Sequence, residues 1–215
     1  GEYIVAGSND GSLYVFNRNS STPLWSYETE FNVNNVKISA NGKYILAASS
    51  SGQDQDGSSL YLFDSNNSTY LWKFDSLDTS FGNIEISASG QLIIASGDSK
   101  MYVFDKSSNI PLWNTTDIGS ATDVAVSADS EYIVVGSSNW YVYFFEKDSD
   151  TPLWSYYTAY QINSVDISSD GEYVVAGSRD EKLYAFDKDG DVLWSTDIGD
   201  RPKVAISGAG NYIVA

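Results

Sequence analysis

The sequence predicts an all-β protein made of repeated four-stranded antiparallel units, and three observations support this prediction. A strand-like phrase recurs six times, beginning at residues 1, 42, 90, 130, 171 and 210. Three further phrases recur at the same interval of about 40 residues. No stretch shows the sustained 3.6-residue apolar period of an amphipathic helix.

Each recurring phrase has the β-branched and aromatic content of a strand. In chain order, they are Val-x-Ile-Ser, Tyr-Ile-Val-Ala, Leu-Tyr-Val-Phe and a segment that begins Leu-Trp. Turn signals such as Asn41-Gly42 and Asp170-Gly171 separate them. Four antiparallel strands in about 40 residues are typical of a β-propeller blade. A single blade cannot bury both of its faces, so we expect neighbouring blades to cover each other.

One tryptophan occupies the same position in every repeat. Because the position is periodic, we predict a structural role for these side chains, on the face between blades. Burial of one such ring contributes roughly 2–4 kcal/mol by area. The five residues are Trp25, Trp72, Trp113, Trp154 and Trp194.

Two segments, 104–113 and 186–194, begin with Phe-Asp and end with Leu-Trp. They resemble the tryptophan-docking motif of pyrroloquinoline-quinone-like (quinoprotein-like) propeller repeats. Segment 165–178 is similar to the phrase that forms the first two strands of a WD repeat. The resemblance covers the whole chain and implies a fold more strongly than a function.

The resemblance also implies what a quinoprotein enzyme would need. The quinoprotein dehydrogenases hold their cofactor with calcium, a carboxylate base and adjacent cysteines, and this chain has no cysteine. We therefore expect a member of the non-enzymatic side of the superfamily, with no cofactor.

The repeats predict a single propeller segment over residues 1–215. Its repeats are 1–41, 42–89, 90–129, 130–170 and 171–209, followed by the start of a sixth at 210–215. We expect a segment of a longer chain with a six- to eight-bladed ring. The alternative is a five-bladed ring whose last strand is displaced or donated to a neighbouring copy.

Composition excludes several chemistries. The chain contains no Cys and no His, which rules out thiol nucleophiles, Ser-His-Asp triads, disulfides and thiolate or imidazole zinc sites. Its net charge of −17 argues against nucleic-acid and anionic-membrane partners. No apolar run is long enough for a membrane span.

Several aromatic residues fall in loops, outside the repeat pattern. Trp140 and Tyr141 replace small or polar residues before a third strand, and the others lie in loops that lead into first strands: Phe31, Phe81, Tyr157 and Tyr160. By repeat geometry, both sets of loops are expected on one face. Exposed rings there would suit sugar stacking or a protein hot spot. Local packing of the rings against the loops is the alternative.

Acidic turns are weaker candidates for a functional site than the aromatic loops. Asp187, Asp189 and Asp191 alternate in a Gly-containing turn and could present oxygens to calcium. Equivalent turns hold Asn or Ser, so we interpret these residues as solvated turn acids and predict no metal. An insertion at 49–59 lengthens the second repeat and is either a polar loop or a partner contact.

Four Asn-x-Ser/Thr sequons occur, at Asn19, Asn66, Asn67 and Asn114. The first three share one hairpin turn on the predicted outer rim, where glycosylation is sterically feasible. This position favours an extracellular or cell-surface protein, with a cytoplasmic location as the alternative.

Three functions are compatible with these features. We expect a non-catalytic binding scaffold that holds a protein or carbohydrate on its loop face, together with the rest of a longer chain or a neighbouring copy. The alternative is an intracellular interaction platform of WD-repeat type. An enzyme is the least supported. A quinoprotein-like oxidoreductase would lack its adjacent cysteines, and a carboxylate-based glycosidase or lyase would need an acidic pair that stands apart from the turn acids.

Overall fold

A computed structural model describes residues 1–51, 57–77, 79–98, 100–199 and 201–215, and the regular structure of these residues is β. The first three sheets are antiparallel, and hydrogen-bonded neighbours follow each other in the chain. The first sheet contains β1 (Tyr3–Gly7), β2 (Ser12–Asn17) and β3 (Pro23–Glu28). The second contains β4 (Asn32–Ile38), β5 (Tyr44–Ser50), β6 (Ser58–Asp64) and β7 (Tyr70–Ser76). The third contains β8 (Asn83–Ile86), β9 (Leu92–Gly97), β10 (Lys100–Asp105) and β11 (Trp113–Thr115).

The last three sheets continue the same order. The fourth contains β12 (Ala121–Val126), β13 (Tyr132–Ser137), β14 (Tyr141–Glu146) and β15 (Trp154–Tyr157). The fifth contains β16 (Ile162–Ile167), β17 (Tyr173–Ser178), β18 (Lys182–Asp187) and β19 (Val192–Asp197). The sixth contains β20 (Ala205–Ile206) and β21 (Ile213–Val214). The four recurring phrases thus form the four strands of each complete sheet in the predicted order.

The chain divides into two compact units. The first comprises Gly1–Asp98 and Tyr102–Leu112, and the second comprises Ser99–Met101 and Trp113–Ala215.

The serine that ends each Val-x-Ile-Ser phrase closes the turn between the first two strands. In the fourth sheet, Ser127 Oγ accepts a hydrogen bond from the backbone N–H of Tyr132 at 3.0 Å, and the Ser127 N–H donates to the Tyr132 carbonyl at 3.0 Å. Ser168 and Tyr173 make the same pair of bonds in the fifth sheet. The recurrence of serine is therefore explained by a side-chain hydrogen bond that replaces a backbone one.

In the first unit, the second sheet is buried on both faces. Along β5, Ile45 and Ala47 pack with Leu13 and Val15 of the first sheet. The alternating residues Leu46 and Ala48 belong to a different cluster, which also contains residues of the third sheet. Because successive side chains of a strand point to opposite faces, one strand serves two cores.

The second unit repeats this arrangement. Along β17, Val174 and Ala176 pack with residues of the fourth sheet, whereas Val175 packs with Val204 and Ile206 near the sixth. The expectation that neighbouring sheets bury each other's faces is confirmed within each unit.

Four of the repeated tryptophans are tied to the following sheet. In the first unit, the indole N–H groups of Trp25 and Trp72 each donate at 2.8 Å, to the carbonyls of Ser65 and Lys106. In the second unit, those of Trp113 and Trp154 donate to the carbonyls of Lys147 and Lys188 at 2.6 and 2.9 Å. Each acceptor directly follows the Phe-Asp, or equivalent, pair of the next repeat. The fifth, Trp194, is 42% exposed.

Successive sheets make a second contact, in which a tyrosine ring of one sheet packs directly on a glycine of the next. We call this contact the glycine seat. Gly171 has a φ of +74°, and a Cβ built on it would lie 2.5 Å from Cδ2 of Tyr132. Gly210 is placed in the same way against Tyr173. In the third repeat, Leu92 stands at the tyrosine position and the next repeat has Ser130 at the glycine position. Where the sequence lacks the tyrosine, it therefore also lacks the glycine of the following repeat.

Truncation of a docked tryptophan should be costly. Trp72→Ala removes an indole that is 8% exposed and hydrogen-bonded, so we expect a loss of about 3–5 kcal/mol in the free energy of unfolding. Trp194→Ala, at the exposed equivalent position, should cost less than about 1.5 kcal/mol. Urea denaturation of both variants measures the difference, and equal losses would contradict the docking role.

The glycine seat gives a second prediction. Gly171→Ala should destabilise the protein by about 2–4 kcal/mol, because the new methyl group meets the Tyr132 ring on a left-handed backbone. Gly82→Ala is the matched control, since a Cβ there meets nothing within 4 Å.

The combination of leucine and serine found at Leu92 and Ser130 offers a test of whether the tyrosine ring is what requires glycine. Replacing Tyr132 by Leu and Gly171 by Ser together should recover at least half of the stability that Gly171→Ser loses alone, measured by thermal denaturation. Additive losses in the double variant would show that the ring does not determine the choice of glycine.

Candidate functional site

Four aromatic side chains of the second unit form a surface that we call the aromatic loop surface. It consists of Trp140, Tyr141, Tyr157 and Tyr160. Trp140 lies in the turn between β13 and β14, Tyr141 begins β14, Tyr157 ends β15, and Tyr160 lies in the loop before β16. Trp140, Tyr157 and Tyr160 are 42, 52 and 57% exposed. The structure therefore brings together four of the six aromatic residues predicted from the loops.

The rings contact one another and leave large areas open to solvent. The Trp140 ring lies 6.0 Å from Tyr160, with an interplanar angle of 28°, and 6.0 Å from Tyr157, with an angle of 54°. Tyr141 meets the edge of Tyr157 at 5.3 Å. Aromatic pairs at these distances attract each other, so each ring helps to hold its neighbour in place.

Trp140 occupies a backbone position that suits glycine. Its φ is +78°, and the corresponding turn residues are Gly11 at +86°, Gly57 at +77° and Glu181 at +71°. A left-handed conformation costs a residue with a Cβ about 1–2 kcal/mol. Tryptophan there is therefore unfavourable for the backbone, and such strain is characteristic of functional positions.

Thr158 fixes the loops that carry these rings. Its N–H donates to the Trp140 carbonyl at 2.8 Å. Its buried Oγ1 hydroxyl lies 2.9 Å from the Trp140 carbonyl and 2.5 Å from the Tyr160 carbonyl. In the first unit, Thr29 makes the same contacts with the carbonyls of Gly11 and Phe31. The anchor is thus shared by the first and fourth repeats, whereas the exposed tryptophan belongs to the fourth.

Polar groups border the surface and are internally bonded. Asn139 Nδ2 donates to the Tyr143 hydroxyl at 2.7 Å. The Asp180 carboxylate accepts from the Tyr184 hydroxyl at 2.6 Å and from the Ala159 N–H at 3.3 Å. Burial raises the pKa of Tyr184, and the hydrogen bond to Asp180 raises it further, so Tyr184 stays protonated and keeps Asp180 in place.

Tyr143, which accepts the hydrogen bond from Asn139, is also half-buried. Burial raises its pKa, the bond from Asn139 lowers it, and the nearby Tyr141 and Asp117 raise it to a lesser extent. The Asp117 carboxylate is therefore near enough to Tyr143 to disfavour ionisation of its hydroxyl.

The other two predicted aromatic residues belong to the first unit. Phe31 is half-buried. The expectation of an exposed ring is wrong for Phe81, which is 2% exposed and packs edge-on against Tyr102 at 6.1 Å in the core. Its loop follows a strand whose Phe74 already forms part of that core, so the ring has apolar partners within reach.

The predicted acidic and polar sites are placed as follows. Asp187 Oδ1 accepts from the backbone N–H groups of Asp189 and Asp191, at 3.2 and 2.9 Å, as in an ordinary Asx turn. The part of the chain that the structure describes contains no group of three or more acidic residues arranged to hold a metal. In the insertion at 49–59, residues 52–56 lie outside the described residues.

All four sequon asparagines are exposed. Asn67 Oδ1 accepts from the Thr69 N–H at 2.9 Å, whereas Asn66 Oδ1 accepts from the Tyr3 hydroxyl at 3.0 Å and Asn66 Nδ2 donates to Asp64 at 3.2 Å. Asn19 lies in the hairpin turn between β2 and β3, and Asn114 lies in β11.

Sequence reasoning did not identify Thr158, Asn139 or Asp180. A signal for Thr158 is present, since Thr158 and Thr29 each stand four residues after the repeated tryptophan of their repeat. The contacts of Asn139 and Asp180 depend on turn geometry that the repeat pattern does not reveal.

The strained turn gives a prediction about stability. Trp140→Gly should change the free energy of unfolding by less than about 1 kcal/mol, because relief of the left-handed backbone offsets the lost ring contacts. Trp140→Ala keeps a Cβ and should be less stable than Trp140→Gly by about 1 kcal/mol. Chemical denaturation ranks the two, and the opposite order would show that the backbone is not strained.

Comparisons with known proteins identify the family. The described part of the chain contains no helix long and apolar enough to cross a membrane. No curated protein matches the chain. A family profile described as outer membrane protein assembly factor BamB matches residues 56–213, nearly three quarters of the sequence. Together with the four-stranded antiparallel sheets, this match shows that the chain belongs to that family of PQQ-like, quinoprotein-type β-propeller repeats.

Proposed function

We propose that this protein is a non-catalytic binding scaffold that holds a protein partner on the aromatic loop surface. The observation that carries the proposal is Trp140, which exposes a large ring from a left-handed turn position. Glycine would satisfy that position at lower backbone cost. An unfavourable residue with an exposed apolar side chain is better explained by binding than by folding.

The geometry supports a preorganised interface. Tryptophan and tyrosine dominate protein–protein hot spots because they bury much area with few rotatable bonds. Here Thr158 fixes the two carbonyls that position Trp140 and Tyr160, and the rings hold one another. Little conformational entropy then remains to be lost when a partner binds.

The family description also supports a protein partner. It names a factor in the assembly of outer membrane proteins, which is a role played on other proteins. A non-catalytic role is consistent with a sequence that contains neither Cys nor His, and with the engagement of Asp180 in hydrogen bonds within the fold.

We further propose an extracellular or cell-surface location, supported by the sequons. Asn19 and Asn67 lie exposed in the same hairpin turn of successive repeats, before the docked tryptophan. The Asn67 side chain already bonds the backbone of Thr69, which holds the sequon in a turn. Such positions are accessible without disturbance of the core.

Site-specific photo-crosslinking tests the binding surface. In protein expressed in its source cells, Tyr160→benzoylphenylalanine should give a discrete crosslinked partner protein, because position 160 lies within the surface. The same reporter at Leu77, an exposed residue of the first unit, is the matched control. Addition of Trp140→Gly should abolish the crosslink from position 160.

Two results would overturn the proposed function. One is the absence of any crosslinked protein from position 160 when the reporter is fully incorporated. The other is a crosslink from position 160 that persists unchanged in the Trp140→Gly variant.

Glycopeptide mapping of the native protein tests the location. We expect glycan on Asn19 or Asn67, since both are exposed in turns and Asn67 Nδ2 makes no hydrogen bond in the described structure. Asn66, whose Nδ2 donates to Asp64, should be modified less. Unmodified peptides at all four sequons would favour the intracellular interaction platform instead.

A further inference from the structure

We infer that the aromatic loop surface receives a cationic side chain of its protein partner, arginine in particular. This inference rests on the proposed function, because it names the chemistry of the group that the surface binds. It is drawn from three features: the arrangement of the rings, the charges on their borders, and the hydrogen bonds already made by the neighbouring polar groups.

The rings are spaced to share one cation. Trp140 lies 6.0 Å from both Tyr157 and Tyr160, and all three are exposed. A cation within about 6 Å of a ring centroid is attracted by the ring face, so a single guanidinium above this surface can contact two rings at once. Guanidinium is planar and weakly hydrated, and it stacks on aromatic faces better than ammonium does.

The protein's own cations leave these rings available. In the described residues, the cation–π contacts are made by Lys73, Lys106 and Lys188, over tyrosines outside the aromatic loop surface. Lys147 is the nearest basic residue in sequence, and its ammonium pairs with the Glu131 carboxylate. Arg179 lies in the turn after β17, where its backbone N–H donates to the Gln161 carbonyl at 2.9 Å.

The borders of the surface carry more negative than positive charge. Asp180 contacts the loop at Ala159, and Glu181 follows it in the same turn. Asp117 precedes Ile118, whose carbonyl accepts a hydrogen bond from the Ser137 hydroxyl at the start of the Trp140 turn. Arg179 and Lys182 share the first turn and offset two of these charges. The second unit as a whole holds 17 acidic and 7 basic residues, so its long-range field also attracts a cation.

The existing hydrogen bonds favour a cation over a sugar. A sugar-binding site needs free donors and acceptors around its stacking ring. Here Asn139 Nδ2 is bonded to Tyr143, and Asp180 accepts from Ala159 and Tyr184. These bonds, and the one that Asp180 accepts from the Lys182 N–H, occupy part of the capacity that a sugar would need, whereas the charge of Asp180 remains.

Matched peptides test the inference directly. The probe is a capped Gly-Ser-Arg-Ser-Gly peptide, and its control replaces arginine by citrulline, which has nearly the same shape and no charge. Binding is followed at the Trp140 indole resonance in ¹H–¹⁵N spectra, assigned by its absence from the Trp140→Phe variant. We expect the arginine peptide to bind at least about fivefold more tightly than the citrulline peptide.

Charge variants provide a second readout. Raising NaCl from about 20 mM to about 300 mM should weaken the arginine peptide several-fold and leave the citrulline peptide unchanged. Glu181→Gln should weaken the arginine peptide about two- to threefold. Asp148→Asn removes one exposed charge from an outer turn and is the matched control, which should have no effect.

The outcomes separate this inference from the proposed function. Equal binding of the two peptides would overturn the inference that the surface binds a cation. The proposed protein-binding function would be unaffected. A shift of Trp140 by chitotetraose and by neither peptide would overturn it in favour of carbohydrate. No shift with any probe at about 10 mM would also overturn it, and the crosslink from position 160 would then judge the proposed function alone.

Discussion

The structure depends on neighbouring sheets that bury each other's apolar faces. An isolated four-stranded sheet would expose the apolar residues of both faces to water, and here successive sheets cover one another within each unit. The strands Tyr44–Ser50 and Tyr173–Ser178 each supply side chains to two cores. Every repeat is therefore stabilised by its neighbours, and its own hairpins contribute only part of the stability.

Directional contacts are superimposed on this apolar burial. Each docked indole reaches the carbonyl that follows the Phe-Asp pair of the next repeat, and glycine accepts the tyrosine ring of the sheet before it. Apolar burial alone would tolerate sliding between two flat faces. A hydrogen bond and a close ring contact at fixed positions define a single alignment, which explains why these residues recur when much of the intervening sequence varies.

Most of the fold was predictable because its determinants repeat. Phrases such as Val165-Asp-Ile-Ser and Tyr173-Val-Val-Ala occur in the chain often enough to reveal strand order. The site was predictable only in part. Trp140, Tyr157 and Tyr160 departed from the pattern and are exposed, but the same reasoning placed Phe81 in a loop without foreseeing that its ring reaches the core. Side-chain direction in a loop depends on tertiary contacts, which periodicity does not encode. The hydrogen bonds of Asp180 were missed for the same reason.

The threonine anchor has a consequence for how such a protein can change during evolution. Thr29 and Thr158 hold equivalent loops in the same way, although one turn presents glycine and the other tryptophan. The scaffold thus contains interchangeable display positions whose occupants are nearly independent of its core. A new specificity could arise by substitution at a single turn, without redesign of the strands, and several could coexist on one chain.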